Sequence, residues 1–235
     1  AYRPTLFDFL AFEALSFYTS GEQAAAKPED AFELAAESPI FGSVEEFLKW
    51  EPKTTDTESP TFKAVRLYQK LLAFHEKDTD KAALLDGDLA RLAFGNNKAF
   101  GEEKSARYKA ALKRFVDRFG DHEISAMARH QWAIALQAEG DLAAAHDLAE
   151  QGAKAFPNTP GGRLCRNLLK QIEAPSLELM AERVWNPSWP KIQVQYRNLE
   201  KVHFRLLRRD FVEALRSSTF QPNYMNHDQR AALLA

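Results

Sequence analysis

The chain has 235 residues, 45% of them hydrophobic and 27% charged, enough to bury one large core and too apolar for a disordered chain. Its net charge of −2 conceals an asymmetry: residues 1–60 hold 4 Lys+Arg against 12 Asp+Glu, and the remainder 27 against 21. No basic run or aromatic–basic stripe supports nucleic-acid binding, and no apolar run approaches the ~18 residues of a membrane span.

The first residue is Ala1, with no charged and then apolar leader after it, so an export signal is expected to be removed or to lie outside the sequence. A lone cysteine, Cys165, precludes an internal disulfide without deciding the compartment. Flanked by Leu164, Leu168 and Leu169, it reads as a small buried residue rather than a reactive thiol.

In chain order, residues 5–18 predict a helix that is apolar over most of its circumference and therefore buried against others. Shorter helical pieces follow at 30–36 and 44–50, broken by Ser38-Pro39 and Glu51-Pro52. The polar stretch 53–60 predicts a loop that ends in a helix N-cap. Helices are then predicted at 61–76, 79–94, 102–119, 123–139, 142–156 and 160–172. The turns between them are short (Gly95-Asn96-Asn97, Gly120-Asp121, Gly140-Asp141 and Pro157-Asn158-Thr159), so sequential helices become antiparallel neighbours.

Near Pro175 the apolar period changes from helical to alternating. Strands are predicted at 177–183, 191–197 and 201–208, with a Trp/Pro loop at 185–190 and a turn at Asn198. Residues 210–217 and 228–234 read as helical or irregular. Two or three strands leave edges unpaired, so partner strands are expected beyond Ala235, or cover from the helices. The fold class is mainly α: an antiparallel helical-hairpin array over 1–174, followed by a partial β-domain over 175–235.

Chemistry is sparse. No His-Glu-x-x-His, P-loop or Gly-x-Ser-x-Gly is present. His122-Glu123 reads as a capping pair. His130 and His146 lie on two helices of one hairpin, where either a shared metal or ordinary surface histidines fit. Gly161-Gly162 before a helix admits an anion or a plain turn, and the lack of a following Lys-Ser/Thr weighs for the turn. Glu45-Glu46 and Glu102-Glu103 point to different helix faces and read as solvated charges. No catalytic residue, cofactor or metal ligand is assigned. The possible protein-contact surface is Trp185 and Trp189, in a loop that either recognises a partner or packs on the helices, together with Trp132.

Small residues Ala133, Ala145 and Gly152 sit where two helices would cross, Trp132 and Leu136 are one turn apart, and Gly140-Asp141 precedes a second helix stopped by Pro157. Residues 129–162 thus resemble a tetratricopeptide repeat.

A wider resemblance joins the opening Pro4-Thr5-Leu6-Phe7-Asp8-Phe9-Leu10 to Pro175-Ser176-Leu177-Glu178-Leu179, Val194-Gln195-Tyr196-Arg197-Asn198 and Val202-His203-Phe204-Arg205-Leu206. In that order they resemble the N-terminal region of the large alpha-2-macroglobulin-like proteins of Bacteroidetes-type bacteria. The resemblance implies a helical region before a first macroglobulin-like sandwich, in an exported envelope or periplasmic protein that traps proteases. The thioester Cys-Gly-Glu-Gln of some members has no counterpart, because Cys165 lies in Leu-Cys-Arg-Asn.

On this basis the chain is expected to be a non-enzymatic docking segment of such an endopeptidase inhibitor. Its expected partners are other domains of its parent chain, a protease or an envelope protein. The alternative expectation is a tetratricopeptide-type adaptor that binds a peptide or partner protein in its groove.

Overall fold

Thr5 opens the first helix through a reciprocal capping box: its hydroxyl accepts from the Asp8 amide at 3.2 Å, and the Asp8 carboxylate accepts from the Thr5 amide at 2.8 Å. Ser43 and Glu46 repeat the device at 3.2 and 2.7 Å, Ser59 caps the helix that Pro60 begins, and Asp141 caps another by accepting from the Ala144 amide. The computed structural model describes residues 2–20, 29–182 and 191–204, with Arg216, Asp228 and Ala231. These residues are mainly helical and end in a two-stranded antiparallel sheet. The helices are α1 (Leu6–Thr19), α2 (Val44–Lys49), α3 (Pro60–His75), α4 (Ala82–Lys98), α5 (Lys104–Phe119), α6 (Ser125–Ala138), α7 (Leu142–Ala155) and α8 (Pro160–Glu173), with a 3-10 turn at Pro39–Phe41. The strands are β1 (Ser176–Ala181) and β2 (Ile192–Arg197).

The chain divides into two compact units, Ala1–Glu173 and Ala174–Ala235. In the first, Ile40, Phe47, Val65, Leu72, Leu92 and Leu112 are among the buried side chains of the larger core. Each large aliphatic or Phe side chain so buried contributes about 1.5–3 kcal/mol. A smaller core holds Ala133, Ala145, Leu148, Ala149, Cys165, Leu168 and Ile172 between α6, α7 and α8. Gly161 and Gly162 are no interhelical turn; they form the buried first turn of α8. A Cβ on Gly161 would collide with the backbone of Ala126 and Met127, and one on Gly162 with the carbonyl of Phe156. Hydrogen at these positions is what lets α8 close on its neighbours.

Several boundaries differ from expectation. Residues 31–36 are not helical: the Ala36 amide donates to the Phe100 carbonyl at 2.8 Å and the Phe100 amide to the Leu34 carbonyl at 3.0 Å. This long-range pairing buries Leu34 and Ala36 and overrides helix propensity. Gly95-Asn96-Asn97 is no turn; α4 runs on to Lys98, with Gly95 pressed against Ile40 and Phe41, and the turn falls at Gly101, at φ +123°. Helix α1 buries only Asp8, Ala11 and Leu15, leaving Leu6, Phe9, Leu10 and Phe17 exposed.

In the second unit β1 and β2 pair with Leu177 opposite Tyr196, Leu179 opposite Val194 and Ala181 opposite Ile192, so one face of the sheet is apolar. Every residue of β1 is nonetheless exposed. Asn198 turns the chain after β2 at φ 55°. The expected strand at 201–208 is not formed over 201–204, and its other half, like most of 210–217 and 228–234, lies outside the described residues.

Candidate binding groove

Three tethers fix α1 and the residues before it. The Tyr2 hydroxyl donates to Glu123 at 2.6 Å, Arg3 Nε donates to Asp86 at 3.0 Å, and Asp8 meets His75 Nε2 at 2.5 Å. His75 is 1% exposed, and its Nδ1 lies 2.7 Å from Asp78. Burial opposes the imidazolium, but the bonds to Asp78 and Asp8 outweigh it and raise the His75 pKa above its ordinary value. Burial likewise opposes ionisation of Asp8, and the bonds from His75 and Thr5 outweigh it and hold that pKa low.

Held this way, α1 stands to one side of α3 and α4 to the other, and a groove of about 760 Å³ opens between them. That volume is within the roughly 300–1,000 Å³ of ligand clefts. Phe12, Glu13, Leu15, Ser16 and Thr19 of α1 line one wall; Ala90, Ala93, Phe94, Asn97 and Lys98 of α4 line the other. The α4 residues recur at i, i+3, i+4, i+7 and i+8, a single helix face.

Tyr68 of α3 is also part of the lining. It is 5% exposed, packs its ring on Phe94 with centroids 5.4 Å apart, and has no protein partner for its hydroxyl among the described residues. The hydroxyl opens onto the groove, where water or a bound group can meet it. Burial pushes its pKa up, with Arg3 and Asp86 near enough to act on it electrostatically. At the rim, the Arg3 guanidinium is stacked 3.5 Å over the Phe12 ring and braced by Asp86, and its two Nη groups have no protein partner among the described residues.

The residues singled out from sequence are elsewhere. Trp185 and Trp189 lie outside the described residues. Trp132 is half-buried on α6 and packs against both cores. Cys165 is fully buried, and burial raises its pKa to about 11. His122 Nδ1 accepts from the Ile124 amide at 3.2 Å just before α6. His146 Nε2 is 2.9 Å from Glu173, while His130 is half-buried and its pKa is lowered by burial. Glu46 is engaged in its capping box and Glu103 in an ion pair with Arg107. No three His, Cys, Asp or Glu side chains among the described residues come together as a metal site. Arg91 is fully buried, but its guanidinium is spent on Asp88 and on the carbonyls of Pro39, Ile40 and Gly42.

Sequence reasoning passed over Arg3 and Tyr68. The small-residue face of α4 was the available signal, but it does not show which helix stands opposite. No protein-family model, no curated protein and no solved structure matches the chain.

Proposed function

We propose that the chain is a non-enzymatic protein-interaction module that captures a segment of a partner protein in the groove between α1, α3 and α4. One observation carries this reading: a cleft of about 760 Å³ between helices, lined by Phe12, Leu15, Ala90, Ala93 and Phe94 together with polar residues, onto which opens a Tyr68 hydroxyl that has no protein partner among the described residues. The groups that would otherwise suggest chemistry are committed to structure, with His75 between two carboxylates, Arg91 on carbonyls and Cys165 buried. A tetratricopeptide-like adaptor is the corresponding architecture, and the small residues Ala133, Ala145 and Gly152 buried between α6, α7 and α8 support it. The test is to pan a random peptide library on the full chain. The proposal expects enriched peptides whose binding is lost in Ala93→Trp, which fills the groove, and kept in Lys113→Glu at an exposed position of α5. Peptides indifferent to Ala93→Trp would sink it.

A second reading draws on the β-unit. An apolar sheet face left exposed on Leu177, Leu179, Ile192 and Tyr196 suits a first pair of strands in a larger β-domain. This supports a docking segment of an alpha-2-macroglobulin-like protease trap of the periplasm or cell envelope. The gene decides it: a long run of β-domains after this sequence is expected, and a stop codon directly after it would exclude the reading.

A further inference from the structure

We propose that the occupant of this groove is an amphipathic helix carrying a carboxylate side chain that Arg3 and Tyr68 hold together. The inference rests on the groove being a capture site and adds the chemistry of what is captured. Both walls are helices. The α4 face from Ala90 to Lys98 is about 12 Å long at 1.5 Å per residue, which is just over two helical turns. Ala90 and Ala93 present only methyl groups, so a helix can approach α4 closely, while Phe12, Leu15 and Phe94 supply apolar surface for its buried stripe.

Charge selects the partner's polar residue. Arg3 and Lys98 are the cations of the lining and Glu13 its anion. Arg3 is already stacked and braced, so its free Nη groups meet a carboxylate with little further ordering. The Tyr68 hydroxyl donates to the same carboxylate, and a charge-assisted bond is stronger than a neutral one. An amide in that place accepts only neutral-acceptor bonds without the ion pair, and an ammonium has no lone pair to accept with and is repelled by Arg3.

The experiment uses the full chain and stapled Leu/Ala helical peptides of about 14 residues, roughly four turns. They carry Glu, Gln or Lys at one central position, and binding is read by fluorescence anisotropy. The Glu peptide is expected to bind about tenfold tighter than the Gln peptide, with the Lys peptide weaker still. Tyr68→Phe and Arg3→Met should each erase most of the Glu-over-Gln difference, weakening Glu binding more than Gln binding. Thermal melts of both variants establish that they fold. Equal binding of Glu and Gln peptides, lost in Ala93→Trp, would overturn the carboxylate inference and leave the groove standing. Binding by none of the three peptides, or binding untouched by both Ala93→Trp and Ala90→Leu, would overturn the inference together with the capture reading.

Discussion

A neutral imidazole carries one N–H and cannot donate to two carboxylates at once, so the contacts of His75 with Asp8 and Asp78 call for the imidazolium. The resulting stability has a sign on each side. The contribution of His75 is complete below pH 6.5, its unperturbed value, and is lost as pH rises through the raised native pKa. That of Asp8 is complete above pH 3.8 and is lost as pH falls through the depressed native pKa. Melting midpoints measured across pH should therefore fall on both sides of this window. Replacing His75 by Gln should remove the alkaline fall specific to this contact and destabilise by about 3–5 kcal/mol, because a buried carboxylate is left uncompensated. A variant with the alkaline profile of the parent would refute the double contact. None of this was legible in the sequence. Asp8 and His75 are 67 positions apart and carry no local signature, whereas the capping boxes at Thr5 and Ser43 are readable because both partners lie within three residues.

Elements follow periodicity except where distant contacts compete with it. The helices from α3 to α8 form close to where their apolar spacing puts them, with α4 ending four residues beyond expectation, since the signal and the structure share one period. Residues 31–36 depart because backbone pairing with Phe100 supplies hydrogen bonds that a short helix would otherwise supply. Helix α1 departs in burial only: it has α3 as its principal neighbour and hides a single face. The glycines of α8 show which effect wins when propensity and packing conflict. Gly161→Ala gains about 1 kcal/mol of helix propensity. Its Cβ, however, must enter space held by the backbone of α6, a rigid obstacle, at a cost of about 1–3 kcal/mol or more. Denaturant titration should show net destabilisation, and a stabilised variant would mean that α6 and α8 stand further apart.

At the scale of the whole molecule, both cores, among the described residues, are built from residues of the first unit, from Ala11 to Ile172. A chain ending at Glu173 should accordingly keep its helical circular dichroism and melt cooperatively at the parent's midpoint; a lower midpoint or a broad transition would show that the helices need residues 174–235. The sequence by itself determined the helical class, the change of period near Pro175, the cap before Pro60 and the small-residue crossing of α6 and α7, all of which are written in neighbouring residues. Only the tertiary structure decided that α1 and α4 flank α3, that His75 is clasped by two carboxylates and that Tyr68 lines the groove without a partner among the described residues. Those facts depend on which helix faces meet, and the interactions that bring them together are long-range and leave no period in the chain.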